Sequence, residues 1–261
     1  MTSRSGASGR SDKVSPRFCA SFNTGMMMEM GLLIIFAKQP SPGQVKTRLC
    51  PPLSPRGAAR LYGQFLEDVL EEMARLPRIK LALAYTPASA RSFFRNLAPP
   101  GVRLVAQAGK DLGERLQMAF NWGFAEGAGT VLIRNSDSPD LPGSLVMEAW
   151  TVLEQGPARV ALGPCPDGGY YLVGLRRPQP ELFQGITWSG STVLAATLAQ
   201  AQKSGLPVQL LPPWPDLDTF DDLLAFVRSA KTRLSPGWRS YELAKAMLTD
   251  QTLLGEEESG A

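Results

Sequence analysis

The chain has 261 residues, of which 44% are hydrophobic, and its formal net charge at pH 7 is +3. A chain of this length and composition can bury one large core, so we expect a single domain. The absence of histidine excludes Ser-His-Asp and Cys-His catalysis and histidine zinc sites, and the small charge without a basic block argues against a nucleic-acid partner.

The first part of the chain, residues 1–29, is rich in serine, glycine and arginine and shows little apolar periodicity. We expect a disordered tail or a start codon assigned too far upstream, because Glu29 and the lack of a small-residue cleavage pattern argue against a signal peptide. The longest apolar run, Gly31 to Ala37, is too short to span a bilayer, so no membrane association is expected. The predicted domain covers residues 30–250, and a flexible tail is predicted over residues 251–261.

Short aliphatic runs alternate with helical patterns along the rest of the chain. Strands are predicted over Leu32–Ala37, Lys80–Tyr85, Val102–Gln107, Thr130–Ile133, Arg159–Leu162, Tyr170–Val173 and Val208–Leu211. Helices are predicted over Pro55–Ala74, Ala88–Leu97, Leu112–Glu126, Pro142–Gln155, Ser191–Ser204, Phe220–Arg228 and Ser240–Thr249. This alternation predicts a mostly parallel sheet covered by helices on both faces, with an antiparallel element near Asp167.

The first strand leads into a Gly/Pro loop that carries three cations, Lys38, Lys46 and Arg48, around Gly43. Loops after the first strand of such sheets often bind phosphates through backbone N–H groups and basic side chains. The spacing matches neither a Walker A loop nor a Rossmann fingerprint. A solvated basic loop is the alternative, but three cations so close together favour a nucleotide diphosphate.

The segment before the third helix places Asp111 and Glu114 at capping-box spacing, which predicts a structural role for these two acids. Arg115 follows in the first turn of the same helix. A guanidinium at that position is expected to face the sheet edge and to reach a nucleotide or its phosphates.

Asp137 follows the apolar run that ends at Ile133, so a buried strand is expected to deliver its carboxylate to the edge of the sheet. A carboxylate at this edge suits Mg²⁺ or Mn²⁺, which bind carboxylate oxygens together with the phosphates of a substrate. The alternative is a helix cap for the helix that starts near Pro142.

Asp218 lies in an extended segment on the same side as Asp216, just before the sixth helix. One interpretation is that Asp218 meets Asp137 across a cleft and completes a two-carboxylate metal site. The alternative is a cap on the next helix by Asp218 or Thr219.

Asp167, Gly168, Gly169 and Tyr170 form a Gly-rich turn between two apolar runs. This pattern is compatible with a plain hairpin, because Asp-Gly is a favoured turn pair. It is equally compatible with a site where the backbone approaches a sugar or acceptor and Asp167 accepts hydroxyl hydrogen bonds. Trp188 is interpreted either as a core residue or as a ring that stacks on a sugar.

The three cysteines, Cys19, Cys50 and Cys165, are widely separated and odd in number. Neither a zinc knuckle nor a disulfide framework follows from this spacing. We expect reduced thiols in a cytoplasmic protein.

Taken in order, six motifs resemble the bacterial family of GT-A-like glycosyltransferases called radical-SAM/selenodomain-associated transferase 1. The motifs are FAKQPSPGQVKTRL, QAGKDLGERL, NSDSPDL, GPCPDGGYYLVGL, ITWS and DLDTFDDL. The match runs from about Leu32 to Leu223. At the position of Asn135 the family usually has glycine.

The resemblance implies a three-layer α/β/α fold of the GT-A, or nucleotide-diphospho-sugar transferase, type, with nucleotide on the first loop and a metal near Asp137 and Asp218. A more distant likeness extends to the guanylyltransferases of coenzyme F420 and molybdenum-cofactor synthesis. Fold alone does not decide the reaction. The leading hypothesis is a metal-dependent glycosyltransferase that uses a nucleotide sugar and a small-molecule acceptor, with a nucleotidyltransferase as the alternative and a non-catalytic nucleotide-binding module third. In this hypothesis Asp137 and Asp167 are the catalytic acids.

Overall fold

The computed structural model describes residues 30–188, 190–233 and 237–258. The strands are β1 Gly31–Lys38, β2 Ile79–Thr86, β3 Arg103–Ala106, β4 Thr130–Arg134, β5 Val160–Pro164, β6 Tyr170–Leu175 and β7 Val208–Leu210. The helices are α1 Pro55–Ala74, α2 Arg91–Leu97, α3 Leu112–Ala125, α4 Gly143–Gln155, α5 Val193–Lys203, α6 Phe220–Arg233 and α7 Arg239–Glu258. Every predicted strand and helix is present, and the predicted tail over residues 1–29 lies outside the described residues.

The strands form one seven-stranded sheet in the order β3-β2-β1-β4-β6-β5-β7. All neighbouring pairs are parallel except for β6, which is antiparallel to both β4 and β5. The predicted antiparallel element is therefore confirmed. Chain order reverses between β1 and β4, which is the position where open α/β sheets bind ligands beyond the carboxyl ends of their strands.

Helices cover both faces of the sheet, so the central strands are apolar on both sides. The side chains of Leu33 and Ile35 in β1 belong to the core under α1 and α4, while Leu32 and Ile34 belong to the core under α3. All four side chains are buried. This three-layer α/β/α arrangement explains why β1 is a continuous apolar run instead of an alternating one.

Helix α1, which packs on the core that contains Leu33 and Ile35, brings a polar residue to the carboxyl edge of the sheet. It begins after Ser54, whose side-chain oxygen accepts a hydrogen bond from the Gly57 N–H at 3.0 Å, and Pro55 occupies its first position. Its buried face carries Leu61, Phe65 and other apolar side chains. Tyr62 belongs to the same face, so the packing of α1 on the sheet sets the position of its hydroxyl group.

The last helix docks on α1 through one buried carboxylate. Asp68 accepts hydrogen bonds from the backbone N–H groups of Arg239 at 3.2 Å and Ser240 at 2.8 Å, so a side chain of α1 caps the start of α7. The backbone of α7 continues to Glu258, well past the predicted end at Thr249. Most of the predicted tail over residues 251–261 is therefore helical, because this segment contains good helix formers such as leucine and glutamate and one glycine, Gly255, does not stop a helix.

Within the described parts of the chain, none of the helices combines the length and the apolar character that a membrane crossing requires.

Candidate active site

A cavity of about 920 Å³ opens at the carboxyl ends of β1 and β4, where the chain order reverses. Its wall contains charged, amide and aromatic side chains from the first loop, the segments after β3 and β4, and β6. With contributions from α1 and from the segments before α5 and α6, these side chains include Lys38, Lys46, Arg48, Tyr62, Gln107, Lys110, Arg115, Asn135, Ser136, Asp137, Tyr170, Trp188 and Asp218. The sheet edge thus gathers most of the predicted site residues into one cleft.

Lys46 occupies the centre of this cleft. It precedes a 3-10 helix over Thr47–Leu49 and adopts a left-handed backbone conformation, with φ 48° and ψ 39°. Its ammonium group forms ion pairs with Asp137 and, at 2.8 Å, with Oδ1 of Asp218. A left-handed conformation costs a non-glycine residue about 1–2 kcal/mol, so the surrounding contacts hold Lys46 in place.

Burial and charge oppose each other at Lys46. The side chain is only 3% exposed, whereas each of the two carboxylates is 38% exposed. Burial by itself would lower the pKa of the Lys46 ammonium, but the charges and hydrogen bonds of Asp137 and Asp218 outweigh burial and raise that pKa. Lys46 is therefore a fixed positive charge between the two acids.

Two charged side chains hold the loop that carries Asp137. Arg134, the last residue of β4, donates hydrogen bonds to the carbonyl oxygens of Asn135 at 2.9 Å and Ser138 at 2.7 Å. Asp216, in the segment before α6, accepts hydrogen bonds at its Oδ1 atom from Asn135 Nδ2 at 2.8 Å and Ser138 Oγ at 2.7 Å. The loop therefore has a single, internally bonded shape that directs the Asp137 carboxylate into the cleft.

The two buried charges under this loop are shifted in the directions that burial dictates. Burial lowers the pKa of Arg134 to about 10 despite the nearby charges of Asp216 and Asp140, so the guanidinium remains protonated at neutral pH. Burial, with a contribution from the charge of Asp137, raises the pKa of Asp216. Asp216 and Arg134 form the inner part of the site, and neither was assigned a role from the sequence.

Asp137 does not cap α4, and the cap of α6 is Thr219, one of the two residues predicted for it, and not Asp218. In the described part of the chain, α4 begins after Pro142 with no side-chain cap. At the start of α6, Thr219 Oγ1 accepts from the Asp222 N–H at 3.3 Å while Asp222 Oδ2 accepts from the Thr219 N–H at 2.7 Å. Thr219 and Asp222 thus form the capping box, and the Asp218 carboxylate faces Lys46.

Tyr62 links α1 to the end of β1 and to the loop after β4. Its hydroxyl oxygen accepts a hydrogen bond from the Lys38 N–H at 3.1 Å and shares another with Ser136 Oγ at 2.7 Å. Burial, followed by the charge of Asp137, raises the pKa of Tyr62 to about 12, so the phenol is neutral. Tyr62 was not predicted as a site residue; its sequence signal is a hydroxyl on the largely apolar buried face of α1.

The segment between β3 and α3 forms another wall of the cavity. Asp111 Oδ1 accepts from the Glu114 N–H and Glu114 Oε2 accepts from the Lys110 N–H, each at 2.8 Å, which confirms the predicted capping role of both acids. Arg115 Nε donates to the Gly109 carbonyl oxygen at 3.2 Å. Gln107, which was not predicted, donates to the carbonyl oxygens of Ala37 and Ala84 and ties this wall to β1 and β2.

The turn between β5 and β6 separates the residues predicted to contact a sugar. Asp167 accepts a hydrogen bond from the Gly169 N–H at 2.9 Å, and Gly168 has φ +91° and packs against Ser191. These three residues lie in the turn, whereas Tyr170 reaches the cavity wall. The geometry is that of the hairpin interpretation, and a sugar-contacting role for the turn stays a prediction.

Trp188 lines the cavity at the start of α3. Its indole packs so closely on the first turn of α3 that a Cβ added to Gly113 would lie 2.7 Å from its Nε1 atom. The ring is half-buried and also lines the cavity.

The residues predicted to bind nucleotide lie in two places. The four basic side chains, Lys38, Lys46, Arg48 and Arg115, line the cavity, whereas Gly43 lies in the exposed turn of the first loop.

The donor chemistry of the Asp137–Asp218 pair suits Mg²⁺ or Mn²⁺, which prefer carboxylate oxygens. The ammonium group of Lys46, however, lies between the two carboxylates. Among the described residues, no group of three or more Cys, Asp or Glu side chains is arranged to hold a metal ion. The pair can therefore supply two ligands to a cation, and the remaining ligands would have to come from substrate or water.

Known proteins share both the sequence pattern and the fold. Residues 69–190 match a family described as "Uncharacterized protein conserved in bacteria (DUF2064)". A crystal structure of a "putative nucleotide-diphospho-sugar transferase" from Desulfovibrio desulfuricans is 36% identical, with a TM-score of 0.79 over 84% of this chain and 95% of that one. The chain belongs to the same family as this protein. No curated protein matches the chain in sequence.

More distant structures share the fold alone. A cytidylyltransferase from Leptospira borgpetersenii is 14% identical, with a TM-score of 0.53 over 86% of this chain and 96% of that one. The 4-diphosphocytidyl-2C-methyl-D-erythritol synthase of Anaerococcus prevotii is 10% identical, with a TM-score of 0.54 over 78% of this chain and 97% of that one. The predicted fold class is confirmed.

Proposed function

We propose that this chain is a glycosyltransferase that takes a sugar from a nucleotide-diphospho-sugar and transfers it to a small-molecule acceptor. The observation that supports the proposal is the composition of the cavity wall, which combines exposed cations, two acids and aromatic rings. The similarity to the Desulfovibrio protein, described as a nucleotide-diphospho-sugar transferase, points to the same substrate class.

The diphosphate would bind at the first loop. Lys38 and Arg48 are exposed and line the cavity, and Arg48 Nη1 lies 4.0 Å from Asp218 Oδ2, at the mouth of the acidic pair. Lys110 and Arg115 line the facing wall. Cations on two sides of a cleft stabilise the charge of a bound diphosphate and the charge that develops when it departs.

The sugar and acceptor would lie toward Tyr170 and Trp188. Aromatic rings suit sugars because their apolar faces stack on the C–H face of the ring, and both side chains line the cavity. The Asp137 carboxylate, held by its bonded loop, is the acid best placed to act on the reacting groups. Asp167 belongs to the exposed turn, so its proposed catalytic role requires that substrate extend past Tyr170.

Mg²⁺ or Mn²⁺ is proposed as the cofactor, with Asp137 and Asp218 as its protein ligands. When bound, such a cation neutralises negative charge on a leaving diphosphate. The residues of the chain would orient the donor from two walls, exclude water through the closely packed Trp188 and place the Asp137 carboxylate beside Lys46.

The reaction products test this proposal. A glycosyltransferase breaks the bond to the anomeric carbon and leaves the diphosphate on the nucleoside, whereas a nucleotidyltransferase attacks the α-phosphorus of a triphosphate and releases pyrophosphate. We expect the purified protein with Mn²⁺ to release nucleoside diphosphate from at least one nucleotide sugar, with water as a slow acceptor. Asp137→Asn is expected to abolish the release, and Asp221→Asn, at an exposed acid of α6, is its matched control.

Two other results would contradict glycosyl transfer. Release of pyrophosphate from a ribonucleoside triphosphate and a phosphorylated small molecule, with every nucleotide sugar intact, would replace glycosyl transfer by nucleotidyl transfer. Binding of nucleotide sugars with neither product formed would leave a nucleotide-binding module.

A further inference from the structure

We infer that Lys46 is the resident cation of the Asp137–Asp218 pair and that a divalent cation enters the pair only together with a diphosphate. This inference rests on the proposed function and adds an order of binding to it. In the absence of substrate, Lys46 holds the two carboxylates together. When a metal-diphosphate complex arrives, the carboxylates exchange the ammonium group for the metal.

The first support is the position of the ammonium group. Lys46 Nζ contacts both carboxylates and also lies 5.9 Å from the ring centroid of Tyr62 and 5.7 Å from that of Phe65. The side chain is almost fully buried, while the carboxylates open toward the cavity. The ammonium group therefore approaches the acids from the protein side and leaves their outer face to a ligand.

The second support is the local charge. Two carboxylates carry two negative charges, and Lys46 neutralises one of them before any ligand binds. Arg48, at 4.0 Å from Asp218, adds a further positive charge at the mouth of the pair. The two carboxylates, Lys46 and Arg48 thus sum to no net charge, and a bare divalent cation would be repelled by the two basic groups as strongly as the acids attract it.

A diphosphate reverses this balance. Its negative charges compensate both the metal and the basic side chains, and its oxygens supply the ligands that two carboxylates cannot provide. Lys46, once separated from the acids, can pair with a phosphate oxygen, as lysine does in many phosphate sites. The same residue would thereby serve the free enzyme as a counter-ion and the complex as a phosphate ligand.

Calorimetric titration of Mn²⁺, with and without inorganic pyrophosphate, tests this order without reference to turnover. For the natural protein we expect little binding of Mn²⁺ alone and clear binding in the presence of pyrophosphate. In Lys46→Met, which keeps a linear apolar side chain over the rings, the bare acids should bind Mn²⁺ alone roughly tenfold or more tightly than in the natural protein.

Two variants serve as controls. Lys46→Arg retains the positive charge and should keep weak binding of Mn²⁺ alone. Lys46→Met combined with Asp218→Asn removes the excess negative charge and should lose the gain shown by Lys46→Met. Circular dichroism of each variant verifies folding, and if Lys46→Met does not fold, the comparison in the natural protein decides.

Tight binding of Mn²⁺ alone to the natural protein, or no gain in a folded Lys46→Met, would overturn the inference. A natural protein that binds pyrophosphate equally well with and without Mn²⁺ would overturn it as well, because Lys46 would then be a permanent substitute for the metal. These outcomes are distinct from failure of the proposed function, which is judged only by the products formed.

Discussion

Asn135 Nδ2 donates a hydrogen bond to Asp216 Oδ1 at 2.8 Å, although the two residues are 81 positions apart in the chain. The bond joins the loop after β4 to the segment before α6, and the Leu217 N–H reinforces it by donating to the Asp137 carbonyl oxygen at 2.9 Å. Asp137 and Asp218 are carried on these two segments. Their separation in the cleft is therefore set by the Asn135–Asp216 contact.

Exchanging the two side chains tests this contact. Asn135→Asp alone places two carboxylates against each other in a buried position and should lower the free energy of unfolding by about 2 kcal/mol or more. Adding Asp216→Asn restores a donor and an acceptor, so the double variant should recover at least half of that loss. Urea unfolding of both variants supplies the measurement, and a double variant no more stable than Asn135→Asp would refute the pairing.

The capping box of α6 should give a pH-dependent contribution. Burial would raise the pKa of Asp222, but the hydrogen bonds from Thr219 outweigh burial and lower it. A carboxyl group whose pKa is lower in the folded state adds stability above its unfolded pKa of about 4, and this stability is lost as the pH falls through the folded value. Asp222→Ala should therefore cost about 1 kcal/mol at neutral pH, and the cost should shrink below about pH 4.

Asp221→Ala is the matched control, because Asp221 is an exposed acid in the same helical turn. Thermal unfolding of both variants between acidic and neutral pH gives the comparison. Equal effects of the two substitutions at every pH would mean that the helix end responds to charge alone and that the capping box contributes nothing specific.

The two adjacent glycines of the β5–β6 turn should respond differently to alanine. Gly168 has φ +91°, and a Cβ there would lie 1.9 Å from the Ser191 carbonyl oxygen, so Gly168→Ala should cost about 2 kcal/mol or more. At Gly169 the nearest atom to an added Cβ is Asp167 Oδ1 at 3.3 Å, and Gly169→Ala should cost less than about 1 kcal/mol. Chemical denaturation measures both costs.

The same pair of variants addresses the sugar-binding hypothesis for the turn. If the hairpin is purely structural, Gly169→Ala should release nucleoside diphosphate at the natural rate. A stable Gly169→Ala protein with a raised KM for the nucleotide sugar would instead support a contact between this backbone and the substrate.

Gly113 should control the position of Trp188. Because an added Cβ would lie 2.7 Å from Trp188 Nε1, Gly113→Ala must displace the indole from the start of α3. We expect a change in tryptophan fluorescence and a several-fold rise in KM, equivalent to about 1 kcal/mol of binding. The fluorescence change should disappear when Trp188→Phe is combined with Gly113→Ala; if it persists, the displaced ring is a different tryptophan.

The local pattern of the sequence was sufficient for the strands and helices and for the class of fold. Periodicity reports which side of an element is buried, and the strands β1 and β4 are apolar on both sides, as parallel strands between two helical layers must be. The pattern also placed Asp137 at a strand end and Asp111 and Glu114 in a capping box. These inferences succeed because each depends on neighbours in the chain.

The partners of the charged groups were decided only by the tertiary structure. Lys46 appears in the sequence as a cation of an exposed loop, yet it is buried between two acids, one of them 172 positions away. Tyr62, Arg134 and Asp216 belong to the site for the same reason, since each meets its partners through the packing of α1 or the crossing of the segment before α6. Spacing along the chain carries no information on such meetings, because they depend on how the layers close around the sheet edge.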